Sequence, residues 1–227
     1  MDGDVYGGIK WWGVSGFNIP HSFHTSVVYD LPGRNWSGAG GALLGGWSIS
    51  GNARLTSGPP GHITAATPRN GSRTLQFTGG STIDLIPGGD NNPVHDEMPT
   101  HSSGGVVYFD ASQFSYPEFC FNTTASPNRC NGPSYVVQGN LGRNTLLMPG
   151  VANVDFSLTK NTRIGVLGEN GEMQFRVQFF NLFNRVNYGN PSLSVFDNQG
   201  NVSPTVGRIT STRIPARQVQ LGLRFVF

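Results

Sequence analysis

Five stretches of this sequence alternate strictly between apolar and polar residues, and no other feature limits the fold as tightly. In the first, Thr25, Val27, Tyr29 and Leu31 share one face, and His24, Ser26, Val28 and Asp30 share the other. Trp47, Ile49, Gly51, Ala53 and Leu55 oppose Ser48, Ser50, Asn52, Arg54 and Thr56 in the second. The third sets Val154, Phe156 and Leu158 against Asp155, Ser157 and Thr159, and the fourth Met173, Phe175, Val177 and Phe179 against Gln174, Arg176 and Gln178. The last closes the sequence, with Val219, Leu221, Leu223, Phe225 and Phe227 alternating with Gln218, Gln220, Gly222, Arg224 and Val226. A period of two is the strand period, and helix templates fit none of these runs. The predicted strands fall near residues 21–31, 46–57, 152–160, 173–183 and 217–227. At roughly 8 to 11 residues, each has the length of a tilted strand that crosses a bilayer.

The links between the runs carry as much information. Leu31 to Gly46 and Lys160 to Glu172 are short, whereas the stretches 58–151 and 184–216 are long, so short and long strictly alternate. Compact soluble domains rarely hold a connection as long as 58–151 with so little periodicity. Bacterial outer-membrane barrels do alternate in this way, with short periplasmic turns and long extracellular loops. If the C-terminus is periplasmic, every short turn falls on that side.

Composition then separates a barrel wall from a soluble sheet. Only 12% of the residues are charged, about half the usual share of a soluble domain. The polar faces of the runs hold Ser, Thr, Asn and Gln with occasional Asp and Arg, and lack the Lys and Glu of water-facing surfaces. Aromatic residues punctuate the apolar faces, as interfacial girdles require. The expected fold is all-β, an antiparallel transmembrane β-barrel segment of about five strands with two long extracellular loops. The rival reading is a secreted, soluble β-sandwich acting as a binding or adhesion module, since a half-buried soluble strand also alternates. No basic run exists, so nucleic acid is not an expected partner. The opening Met1-Asp2-Gly3-Asp4 lacks the basic and apolar regions of a secretory signal.

The terminal Gln218-Val219-Gln220-Leu221-Gly222-Leu223-Arg224-Phe225-Val226-Phe227 resembles the assembly signal of outer-membrane barrels, carried by Val219, Leu221, Leu223, Phe225 and Phe227. Further segments are more specific. They are Phe109-Asp110, Gly139-Asn140-Leu141-Gly142-Arg143-Asn144-Thr145-Leu146, Asn153-Val154-Asp155-Phe156-Ser157-Leu158, and Gln174-Phe175-Arg176-Val177-Gln178-Phe179-Phe180-Asn181-Leu182-Phe183-Asn184. With Asn187-Tyr188-Gly189-Asn190-Pro191 and Gly207-Arg208-Ile209-Thr210-Ser211-Thr212-Arg213, they resemble the C-terminal end of Oar-like TonB-dependent outer-membrane receptors. That resemblance implies a carboxypeptidase-regulatory-like domain, a plug and a barrel of about 22 strands, of which residues 1–227 look like the last five or so. Signal peptide, TonB box and plug are absent from the sequence by this reading. It implies uptake of a bulky ligand across the outer membrane, and as partners the rest of the barrel and plug, the barrel-assembly machinery, the TonB complex and the lipid bilayer.

Few residues suggest other chemistry. In the exported, oxidising context that the resemblance implies, Cys120 and Cys130 suggest a disulfide, with two free thiols as the alternative. His95, Asp96, Glu97 and His101 are the one cluster with metal-ligand side chains, and His95, Asp96 and His101 are its weak candidates. A solvated loop accounts for them better, because Pro93, Pro99 and Gly104-Gly105 leave no fixed spacing. Asp90-Asn91-Asn92 and Asp197-Asn198-Gln199-Gly200-Asn201 have calcium-loop composition, which Asx-turns explain equally well. No nucleophile elbow and no paired catalytic carboxylates occur, so no enzyme activity and no cofactor are expected. The aromatics Tyr108, Phe109, Phe114, Tyr116, Phe119, Phe121 and Tyr135 of the long loop suit ligand contact or packing of the loop on itself, and packing is the preferred reading.

Overall fold

The structure is a computed structural model that describes residues 13–33, 36, 38–65, 83–116, 139–165, 168, 171–197 and 200–227. The chain divides into two compact units. One, the wall, comprises Pro20–Ser57, Gly150–Tyr188 and Thr212–Phe227. The other, the loop unit, comprises Met1–Ile19, Gly58–Pro149 and Gly189–Ser211.

The wall is one five-stranded antiparallel sheet. Its strands are β1 (Ser22–Asp30), β2 (Trp47–Thr56), β3 (Val151–Arg163), β4 (Glu172–Phe180) and β5 (Gln218–Val226), side by side in chain order. The register places the apolar sets of all five strands on one face. Tyr29 pairs with Ile49, Ile49 with Leu158, Leu158 with Val177 and Val177 with Leu221. A second row runs Val27, Gly51, Phe156, Phe179, Val219. Gly51 has no side chain opposite Phe156, whose ring lies 6.2 Å from that of Phe179. A one-residue slip would turn every one of these side chains to the other face, so the alternation itself fixes the pairing.

Both long links leave from one end of the wall, where Ser22, Thr56 and Val151 pair in line and Phe180 faces Gln218. Both short links lie at the other end, together with Val226 beside Glu172 and the C-terminus. The expected alternation of turns and loops is therefore the geometry of the sheet. Three details differ from the sequence reading. The third strand runs on to Arg163, because Asn161, Thr162 and Arg163 pair with Gln174, Met173 and Glu172. The fourth ends at Phe180 instead of 183, since Asn181 takes a left-handed conformation with φ of 51° and turns the chain. The short link before β2 holds a seven-residue helix, α1 (Gly38–Leu44).

The stretch 58–151, expected to have weak periodicity, contributes most of a folded unit with its own core. Two-residue strands stitch it: Pro60–Gly61 with Leu146–Leu147, Asp84–Leu85 with Phe114–Ser115. The second long loop joins in, Ser194–Phe196 alongside Thr64–Ala65 and Arg208–Ile209 against Val106–Val107. Ile63, Ala65, Ile83, Phe109, Leu146, Val195 and Ile209 are buried inside it. Strands this short give no period-2 signal, which explains why the sequence pattern missed them.

Candidate functional site

The wall presents two chemically opposite faces. On the apolar one, Val27, Tyr29, Val219, Leu221, Leu223 and Phe225 all stay exposed, Leu221 to 67%. A soluble sandwich would bury this face against a second sheet. Here the five strands instead offer a contiguous apolar surface, far larger than the scattered apolar residues of soluble proteins. The C-terminal residues Val219, Leu221, Leu223, Phe225 and Phe227 extend it along the edge strand β5, with Phe227 91% exposed. Lys160 is the one cation among the paired positions of this face, level with Trp47 and Phe175.

The opposite face is mostly polar, with Val28, Phe180 and Val226 as exposed apolar exceptions. His24, Arg54 and Asn153 lie in one cross-strand row, and Ser26, Asn52 and Asp155 in the next. With Ile214 they line an open groove of about 450 Å³ at the end of the wall where the long links leave. Asn153 donates from Nδ2 to Asp155 Oδ1 at 2.9 Å, while its own Oδ1 is buried without a partner. The groove thus mixes cationic, anionic and amide groups and suits a hydrated polar solute better than an apolar one.

A buried amide network holds the same end of the wall together. Asn181 is 2% exposed, and its backbone N–H donates to Asp155 Oδ1 at 2.9 Å. Its Nδ2 donates to the carbonyls of Arg185 and Pro215 at 2.9 and 3.0 Å, and its Oδ1 accepts from Arg185 N–H at 3.0 Å. Asn184 Oδ1 accepts from the Arg217 N–H, and buried Asn187 accepts from the Ala152 N–H. Buried amides satisfied on every side rigidify a junction, and together these fix where β3, β4 and β5 enter the sheet. In the sequence, Asn181 and Asn184 stand out only through the resemblance that their segment carries. The physical signal was available: two asparagines within Phe179-Phe180-Asn181-Leu182-Phe183-Asn184, where an apolar run needs a satisfied polar residue.

The loop unit resolves several remaining candidates. Tyr108 donates its hydroxyl to the Leu147 carbonyl at 2.8 Å, and Phe109 meets Phe114 edge-on at 6.2 Å. The Tyr116 ring stands 5.4 Å from that of Phe196, so these four aromatics pack within the unit. Phe119, Phe121 and Tyr135 lie outside the described residues, as do Cys120 and Cys130. His101 has both ring nitrogens engaged, Nε2 with the Pro204 carbonyl at 2.9 Å and Nδ1 with the Ser103 N–H at 3.1 Å. The backbone N–H of His95 bonds to the Tyr108 carbonyl, and Asp96 lies next to it in a bend. Among the described residues, no three His, Cys, Asp or Glu side chains gather where a metal ion would fit. Asp90 Oδ1 accepts from the Asn92 N–H and Asp197 Oδ1 from the Asn201 N–H, which is local turn chemistry. Asp110 caps the turn Ala111–Gln113. Hydrogen bonds from the Gln113 side chain, then from Ser112, hold its carboxyl below the usual range, with the nearby His95 adding to them.

A five-stranded antiparallel sheet with an exposed apolar face, a polar reverse face and strictly alternating turns and loops defines a membrane-barrel wall. A family model described as outer membrane beta barrel domain matches residues 4–220. The protein belongs to that family, and its place is the outer membrane. No curated protein and no solved structure matches the chain. The apolar face is accordingly the lipid face and the polar one the lumenal face, the short turns being periplasmic.

Proposed function

We propose that this chain is the C-terminal part of the barrel of an Oar-like TonB-dependent receptor, taking up a bulky ligand across the outer membrane. The observation that carries this reading is the folding of both long loops into one unit with its own core. Capture of a large ligand calls for a rigid, shaped surface, and binding residues concentrate on loops that a scaffold holds in place. The polar groove lined by His24, Arg54 and Asn153 supports this reading, because a hydrated ligand needs polar groups along its path. Neither β1 nor β5 has a second neighbour among the described residues. Unpaired strand edges cost several kcal/mol per polar group in lipid, so further strands close the barrel, to about 22 in Oar-like receptors. A plug fills such a lumen, the TonB complex supplies the energy, and the barrel-assembly machinery reads the strand ending in Phe227. The chain itself performs no catalysis in this scheme and carries no cofactor.

Growth on a panel of iron, glycan and peptide sources tests it, with this gene deleted and, separately, with TonB deleted. One source should become unusable in both strains. A source lost on deleting this gene but used normally without TonB would overturn the energy coupling.

A further inference from the structure

The short link between β1 and β2 ends in an apolar segment that nothing in the wall covers. Trp36 is 58% exposed, Leu43 69% and Leu44 60%, and α1 carries no charged residue. Two hydrogen bonds fix where its C-terminal end lies. Trp47 donates from Nε1 to the Leu43 carbonyl at 3.0 Å, and Lys160 donates from Nζ to the Gly45 carbonyl at 2.6 Å. Trp47 and Lys160 are directly paired on the lipid face, so both bonds draw the helix end to the lipid side of the wall and away from the lumen. The turn is built for this close fit. A side chain at Gly41 would collide with the Trp36 carbonyl, and one at Gly46, where φ is +73°, with that of Asn161.

We propose that this link is a membrane foot: Trp36, Leu43 and Leu44 seat in the periplasmic leaflet, and Lys160 pairs with the headgroup of an anionic phospholipid, one whose phosphate charge no choline or ethanolamine offsets, at its surface. Trp47 begins β2 at the rim of an apolar band about 25 Å tall, so the segment before it lies at the depth of the headgroups. That layer favours tryptophan, exposed leucine and a cation with an apolar stem. The Lys160 ammonium lies 5.2 Å from the centre of the Trp47 ring and spends one donor on Gly45, which leaves donors for a phosphate. A soluble partner protein would not require the foot to hang on the lipid side, whereas lipid continues directly from the apolar rows below it.

Nitroxide labels test this in the full-length receptor, with Cys120 and Cys130 replaced by Ser, in phosphatidylethanolamine–phosphatidylglycerol vesicles. Leu44→Cys should be more accessible to oxygen than to a nickel chelate, as Leu221→Cys should, while Gln220→Cys shows the reverse. A Leu44 label open to the chelate beside a shielded Leu221 label would overturn the foot alone. A Leu44 label closed to both reagents would mean a protein covers it, and would overturn the foot as well. If Leu221→Cys is also open to the chelate, the lipid face falls and the foot with it. Replacing phosphatidylglycerol by phosphatidylcholine should raise chelate access at Leu44 at least twofold, an effect kept in Lys160→Arg and lost in Lys160→Gln. Equal access in the two lipids removes the role of Lys160, and this reading needs no variant that risks misassembly.

Discussion

The wall and the loop unit draw on one modest stock of apolar residues and use it in opposite directions. In the loop unit Phe109 is 1% exposed and Ile63, Ile83, Leu146 and Val195 are fully buried, as in any water-soluble domain. In the wall Leu221, Leu223 and Val27 are more than half exposed, and most residues that face inward are polar, among them His24, Arg54, Asn52, Asp155 and Gln220. The wall is held by its backbone ladder, with every strand paired over eight or more residues. The loop unit has strands of two or three residues and depends on its core. Side-chain burial therefore measures stability in one region and is silent in the other, because lipid takes the place of the core.

The sharpest way to break this contrast is to remove the centre of the loop unit. Phe109→Ala should cost about 3–5 kcal/mol there by lost transfer and cavity formation. Residues 83–116 should become protease-sensitive in intact cells, while the heat-modifiable mobility of the barrel on a gel stays unchanged. A barrel that fails to assemble would show that the two units do not fold independently.

A charge on the lipid face tests the other side. Leu221→Arg should cost about 2–4 kcal/mol at mid-membrane, whereas Gln220→Arg, which faces the lumen, should assemble normally. Outer-membrane fractions should show the heat-modified band for Gln220→Arg and little of it for Leu221→Arg. Equal bands would mean that β5 has no lipid face. Deleting Phe227 should slow assembly and leave the finished wall intact.

The legible and illegible parts of the sequence divide along the same line. Every wall strand announced itself, because ten residues of period-2 alternation cannot be satisfied by a helix, and Leu221 facing Val177 follows from two such runs. The ends of β3 and β4 were set by other causes. A hairpin extended the pairing to Arg163, and the left-handed Asn181 cut it at Phe180. In the loop unit, contacts such as Arg208 with Val107, or Thr64 with Ser194, join residues more than a hundred positions apart through strands too short to read. Helix α1 escaped because Gly38-Ala39-Gly40-Gly41-Ala42-Leu43-Leu44 has poor intrinsic propensity and is held by Trp47 instead. Of the candidate site, the lumenal row of Arg54 and Asn153 was readable as the polar half of its strands. Of the Asn181 junction only the two asparagines inside an apolar run were readable, and not the network, since its partners come from three separate segments.

A smaller effect is expected at Cys120 and Cys130. If they pair, Cys120→Ser should destabilise the loop unit by up to about 3 kcal/mol in the loop-entropy model and leave the wall untouched. Non-reducing peptide maps of exported protein should contain one cross-linked fragment. Quantitative thiol labelling without reductant would remove the bridge.

The mildest perturbation is a proton. Burial first, and the Arg143 guanidinium second, hold the His62 imidazole below its ordinary value of 6.5, and its Nδ1 lies buried without a hydrogen-bond partner. The folded unit therefore favours the neutral ring, and the unfolded chain takes up the proton more readily. This contribution to stability is complete above pH 6.5 and declines as pH falls from there toward the folded value. Asp110 adds nothing in that window, because its carboxyl is held below its ordinary 3.8 and its contribution is lost only at lower pH. Hydrogen exchange at residues 60–65 and 139–147 should accordingly quicken a few-fold between about pH 7.5 and 5.5, after correction for intrinsic rates. His62→Gln should abolish the change, and β2 through β4 should show none in either protein. Acceleration that persists in His62→Gln would assign the sensitivity to another group and leave His62 as packing alone.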